Sequence, residues 1–191
     1  MVKVKPKERI LDAAAKLFVR DGFHATGIDT IVTEADVAKM TLYKHFESKD
    51  ALIVEVLRRG DEKWRARFEA KVEQLAQTPE QRLLAVFDAL QDWFEEDDFY
   101  GCTFINASAE YSMQRDNNKV LQVAEDHSNR VGEFIYGLAV AANAKDPKQL
   151  ATHLGLLVEG AIVKAVTSGQ PEVAQKAKEA AKVLIHEQLK G

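Results

Sequence analysis

Four side chains within one short stretch carry groups suited to a nucleic-acid groove. Met40, Thr41, Tyr43 and Lys44 supply a thioether, a hydroxyl, a phenol and an ammonium. Such groups donate to base edges and phosphates or touch a thymine methyl. Lys39, His45 and Lys49 flank them with further donors for backbone phosphates. Successive residues of an α-helix turn by about 100°, so Leu42 and Phe46 point one way while the polar set faces the other side. A groove-reading helix needs both: an inner face to anchor it and an outer face to offer. Lys49 follows Ser48 at a helix start, where free N–H groups and the helix dipole also favour a phosphate. Other chemistries find no support. There is no glycine-rich phosphate loop, no Cys/His metal spacing and no Ser-centred elbow. The histidines at 24, 45, 127, 153 and 186 are scattered. The Glu95-Glu96-Asp97-Asp98 run reads as a solvated helix end rather than a cation site. No metal and no cofactor is expected.

The elements that must hold this helix follow from apolar periodicity. Residues 28–35 form a short helix with Ile28, Ile31, Val32 and Ala35 inward, and residues 39–46 form the next. Two short helices joined by a tight turn have the geometry of a helix-turn-helix. A first helix over 6–21 carries a stripe of Ile10, Ala13, Ala14, Leu17 and Phe18, and Asp21-Gly22 ends it. Thr26 with Asp29 three residues on is a loose capping signal. Ser48 caps a longer helix whose Leu52, Val56 and Leu57 extend the same core; it runs to about 76, with Gly60 as a point of bending or breaking. Further helices are expected from Pro79 to about Glu96, over 103–113 and 117–142, from Pro147 to about Ser168 closed by Gly169, and from Pro171 to about Leu189. No strand-like alternation occurs. The fold class is all-α, about nine helices, with a three-helix helix-turn-helix head at 1–50 and a larger helical bundle over 51–191. By periodicity alone, residues 28–46 are either a reading head or simply two core-facing helices of a bundle.

Bulk composition narrows the setting. With 191 residues, 46% hydrophobic, the chain can bury a real core without staples. The single cysteine, Cys102, excludes an intrachain disulfide, fits a reducing compartment and reads as a small buried hydrophobe. No apolar stretch approaches the roughly 20 residues of a membrane span, and the start MVKVKPKERI lacks the apolar core of a secretory signal. The expected setting is soluble and cytoplasmic. Net charge is -4, but residues 1–60 carry 11 Lys/Arg against 9 Asp/Glu, and the remainder 15 against 21. A slightly basic head on an acidic body suits a small DNA-reading domain.

The segment TGIDTIVTEADVAKMTLYKHFESKDAL, residues 26–52, resembles the DNA-binding segment of the tetracycline-repressor (TetR) family. Thr41-Leu42-Tyr43, then Phe46, Ser48-Lys49 and Leu52, is the most specific part. Phe18 and Gly22-Phe23 also resemble the end of the family's first helix, so the likeness spans about residues 7–57. It implies that Lys39, Met40 and Tyr43 approach base edges, and that Thr41, Lys44, His45 and Lys49 meet the DNA backbone. Thr26, which opens the segment, is counted with these contacts. Leu42, Phe46, Ile31 and Val37 match the domain core. Three positions depart from the pattern. Asp36 stands where the family's turn has Gly, and Asp tolerates a left-handed backbone. Ala38 replaces a capping Ser or Thr, which removes one cap hydrogen bond. Asp29 places a carboxylate near a surface that should face phosphates.

The resemblance further implies a homodimer on a palindromic operator and a ligand-responsive repressor of transcription, the larger domain serving effector binding and dimerisation. The partners are then double-stranded operator DNA, a second copy of the chain and a small-molecule effector. The last two helices are the dimer candidates, through Leu154, Leu157, Val158, Ala161, Val173, Ala177, Ala180 and Leu184; the alternative is that these stripes serve the subunit's own core. Effector candidates are the aromatics Trp64, Phe68, Trp93, Phe94 and Phe104, with Asn106, Glu110, His127 and Glu159 as polar groups on apolar helices. A helical protein-binding adaptor and an all-α enzyme without recognisable motifs are the rival readings.

Overall fold

A computed structural model describes residues 4–113 and 118–190. Among them are nine helices and no strand: α1 (Pro6–Asp21), α2 (Ile28–Glu34), α3 (Lys39–His45), α4 (Lys49–Leu75), α5 (Pro79–Phe94), α6 (Thr103–Tyr111), α7 (Lys119–Ala141), α8 (Pro147–Ser168) and α9 (Val173–Leu189). The expected start of α7 at 117 lies outside the described residues. Local signals account for several ends. Pro6, Pro79 and Pro147 sit in the first turns of α1, α5 and α8, where a missing N–H costs nothing. Thr78 and Gln81 form a reciprocal capping box on α5, and the Asp146 carboxylate accepts from the Gln149 N–H of α8. Gly169, with φ 65°, closes α8 in the left-handed region. Two expectations are corrected. Gly60 does not break α4, which runs unbroken from Lys49 to Leu75 with Leu57 and Asp61 buried on either side of it. Pro171 opens a turn, and α9 begins only at Val173.

The chain forms two compact units. The first comprises Met1–Lys63 and Cys102–His127. Its core is built on the α1 stripe of Ile10, Ala14, Leu17 and Phe18, with Phe23, Ile31, Leu42, Leu52, Ile53 and Leu57 all at most 3% exposed. Phe18 and Phe23 stack at a tilt, 5.1 Å between ring centroids. Three helices of 16, 7 and 7 residues cannot enclose such a core alone. The unit therefore takes in α4 as far as Lys63 together with α6, whose Phe104, Ala107 and Tyr111 are buried. The compact unit thus extends beyond residue 50.

The second unit comprises Trp64–Gly101 and Ser128–Gly191. Here α9 packs along both α5 and α8, around Leu83, Phe87, Leu90, Leu150, Leu154, Val158, Ala181 and Ile185. This packing corrects part of the expected dimer seam. Leu154, Val158 and Ala161 are 1–3% exposed within the single chain, so they serve its own core. Leu157, Val173, Ala177 and Leu184 are half-buried, and Ala180 is exposed. The exposed apolar groups of α8 and α9 are instead Leu156, Val163, Val166 and Val183. The 22-residue α8 is long and apolar enough to cross a membrane by length and composition. Its apolarity has another account: one stripe is spent against α5 and α9, and a second faces outward.

Candidate nucleic-acid interface

The helix-turn-helix is anchored where its apolar residues demand, with Ile31 and Leu42 fully buried and Phe46 5% exposed. The turn between α2 and α3 depends on Asp36, whose φ is 48°. A non-glycine residue in the left-handed region carries strain, and Asp is among the residues that bear it best. Arg9 on α1 clamps this turn. Its Nε donates to the Ala35 carbonyl at 2.9 Å, and its terminal nitrogen donates to the Asp36 carbonyl and, at 2.7 Å, to the Asp36 carboxylate. Sequence reasoning missed Arg9, because nothing local to α1 marks a partner 27 residues away.

With the inner face fixed, the outer face of α3 is exposed. Met40 is 69% and Tyr43 46% exposed, and Lys39, Lys44 and His45 are exposed beside them. Thr41 is half-buried. Ala38 gives α3 no side-chain cap, as expected. Beside the end of α3 lies a shallow groove of about 430 Å³ lined by Lys7, Tyr43, Lys44, His45, Phe46, Glu47, Ala51 and Glu55. Lys7 pairs there with Glu55 at 3.0 Å and lies 5.8 Å from the Phe46 ring centroid. The Ser48 hydroxyl accepts from the Ala51 N–H at 3.0 Å, capping α4. Lys49 beside it is half-buried, its ammonium 3.4 Å from the His24 carbonyl.

Two side chains of this region depart from expectation. Thr26 is 2% exposed, and its hydroxyl donates to the Gly22 carbonyl at 2.7 Å and approaches the Leu17 carbonyl at 3.4 Å. It ties the end of α1 to the loop before α2, which corrects its assignment as a DNA contact. Nor does it cap α2, whose N-cap is Gly27 without a side-chain bond. Asp29 is not a bare carboxylate. It pairs with Lys39 at 2.7 Å, and this hydrogen bond holds the Lys39 ammonium above the ordinary lysine range.

The expected effector residues divide between the two units. Trp64 and Phe68 stack at 4.7 Å, and Trp93 meets Trp64 edge-on at 5.2 Å, with Phe94 and Phe99 adjoining. Glu159, in the same unit, is exposed and accepts from the Ser128 hydroxyl at 3.0 Å. In the first unit, His127 is 6% exposed, bonds Asp61 at 2.8 Å and stacks on Phe104 at 3.7 Å. Asn106 is half-buried. Glu110 needs correction as a ligand group. Its carboxylate accepts from the Phe23 N–H at 2.9 Å, the His24 N–H at 2.7 Å and approaches His24 Nδ1 at 2.9 Å. Partial burial raises its pKa, but the hydrogen bonds from His24 and Phe23 outweigh this and hold it below the ordinary carboxylate value. The neighbouring Tyr111 phenol donates to Asp50 at 3.0 Å; burial first, and then Asp50, push its pKa up, so it stays a donor. Two adjacent residues of α6 thus grip the loop after α1 and the start of α4.

This architecture has many counterparts. Residues 10–56 match the model of bacterial regulatory proteins of the tetR family, and residues 79–181 match a tetracyclin repressor-like C-terminal domain. The HTH-type transcriptional regulator YjdC of Escherichia coli is 25% identical over 159 residues, covering 82% of this chain and 81% of that protein. The HTH-type transcriptional activator FasR of Mycolicibacterium smegmatis is 38% identical over 92 residues, 47% of this chain and 40% of that protein. A crystal structure of a TetR-family transcriptional regulator from Streptomyces coelicolor superposes with a TM-score of 0.87 at 27% identity, over 97% of this chain and 96% of that one.

Proposed function

Because this chain belongs to the TetR family of DNA-binding transcriptional regulators, and not to an enzyme family, we propose that it is a homodimeric, ligand-released repressor acting in the cytoplasm on a palindromic operator. The observation that carries the reading is α3, whose inner face is buried while Met40, Tyr43 and Lys44 stand free. One such helix reads few base pairs. Two of them about 34–36 Å apart, one turn of DNA, multiply affinity and specificity. Dimerisation uses the outward stripe of α8 and α9, Leu156, Val163 and Val183 with Gly160 and Ala180 between them. The small residues allow close helix approach, and a monomer would leave these groups in water.

The effector is an apolar, aromatic-bearing small molecule received by the Trp64, Phe68, Trp93 and Phe94 cluster. It weakens DNA binding by favouring a conformation in which the heads are wrongly spaced. Glu110 and Tyr111 supply the mechanical hold: a shift of α6 pulls on the α1–α2 loop and on α4 through these hydrogen bonds.

Fluorescence anisotropy against labelled duplexes tiling the DNA upstream of the protein's own gene, at two salt concentrations, tests the core of the reading. Tight, salt-sensitive binding to one tile is expected, relieved by an effector from an aromatic library. Absence of duplex binding at low salt overturns it.

A further inference from the structure

We propose that Asp29 is a specificity-determining residue, which restrains Lys39 from non-specific phosphate binding and releases it only at a base pair that satisfies both side chains. The proposal rests on the reading of the α2–α3 surface as the DNA-facing one. Among the described residues, α2 has no basic side chain, and α3 has two lysines, Lys39 and Lys44. Lys39 is joined to Asp29 at 2.7 Å, and the two side chains are 51% and 80% exposed. The pair therefore faces outward. An ion pair this exposed adds little to stability and opens readily.

Its effect falls on DNA. Non-specific affinity comes from cations that replace counterions along the phosphates. A phosphate approaching Lys39 must also approach the Asp29 carboxylate, so half of the ammonium charge on α3 yields little on arbitrary sequence. A base edge offers a different exchange. Cytosine N4 or adenine N6 donates to a carboxylate, while guanine O6 and N7 accept from a lysine. Where donor and acceptor stand side by side in the major groove, the intramolecular pair is replaced by two base contacts. Wrong sequences are thereby penalised and a matching one is not, which is how discrimination exceeds what attraction alone supplies.

The test compares wild type, Asp29→Asn and the double variant Asp29→Asn with Lys39→Met, each as the full chain. The probes are a duplex selected from a random pool by wild-type protein and a scrambled duplex of the same composition. Asp29→Asn should bind the scrambled duplex more tightly, with a salt slope steeper by about 1.8, roughly 0.9 for each of the two heads of the dimer. Between about 50 and 200 mM salt that slope adds roughly a 12-fold change in affinity. Preference for the selected duplex should fall, and adding Lys39→Met should return the scrambled affinity and slope to wild-type values or below. Asp29→Ser serves as a second variant in case the asparagine alters α2. Unchanged scrambled affinity and slope in both Asp29 variants, with wild type still preferring its selected duplex, overturns the proposal alone. Failure of wild type to prefer any duplex overturns the underlying reading as well.

Discussion

Replacing Glu110 isolates the hydrogen-bonded hold of α6 on the head. Its carboxylate, with 27% of the side chain exposed, faces two backbone N–H groups and the His24 ring. Glu110→Ala leaves the part-buried Phe23 N–H without its acceptor, a loss of about 1–3 kcal/mol. The more exposed His24 N–H recovers water, so its charged hydrogen bond is only partly lost; together the cost is about 2–4 kcal/mol. Glu110→Gln keeps one acceptor oxygen but turns an amide N–H₂ toward the second donor, at a cost of about 1–2 kcal/mol. The pH dependence carries a definite sign. The folded-state pKa is depressed below the ordinary value of 4.5, so the carboxylate's contribution is complete above that value. It is lost as pH falls through the depressed one. The stability gap between wild type and Glu110→Gln should therefore be widest near neutrality and close in acid. Urea unfolding followed by circular dichroism measures the gap, and hydrogen exchange at the Phe23 and His24 amides locates it. Equal midpoints at neutral pH with unchanged exchange at both amides would refute the argument. A gap that persists in acid would show that charge is not its cause.

Three further outcomes follow from the same geometry. Tyr43→Ala should weaken operator binding by about 1–3 kcal/mol without changing the thermal midpoint, since the ring stands on an anchored helix; equal affinity would remove it from the interface. Leu156→Glu should yield folded monomers in sedimentation, whereas Leu154→Glu should abolish folding; an unchanged dimer in the first would sink the proposed seam. Arg9→Ala should cost about 1–3 kcal/mol by freeing the carbonyls of the α2–α3 turn. Asp36→Gly should stay within about 1 kcal/mol of wild type, because relief of left-handed strain offsets the lost exposed pair and the looser unfolded chain. Denaturation midpoints of the two variants decide this contrast.

Much of the head was legible in the sequence. Its helices are specified by local signals: the periodicity of Ile10, Ala14 and Leu17, Pro6 in the first turn of α1, and Gly22 ending it. The outward set on α3 follows from the phase of Leu42 and Phe46, and Asp36 was legible as a left-handed position. In the larger unit, periodicity identified α8 and α9 as apolar but could not say which flank each stripe faced. Leu154 and Leu156 differ by two positions on one helix; one is 1% and the other 64% exposed.

What the sequence by itself determined was the secondary structure, the buried stripe of α1, the anchors Ile31, Ala35 and Leu42 of the next two helices and the family, because capping, turn chemistry and amphipathic phase act within a few residues; Ile28, Val32 and Val37, also expected inward, are only half-buried. Tertiary structure alone decided the polar pairings: Arg9 on the turn at Asp36, Asp29 on Lys39, Glu110 on the loop at His24, and Thr26 turned inward. The first three join residues 10 to 87 positions apart. A polar side chain carries no local mark of its partner, since the same carboxylate can cap a helix, repel a phosphate or hold a loop. Only the packing of apolar faces brings one donor within reach and so selects the role.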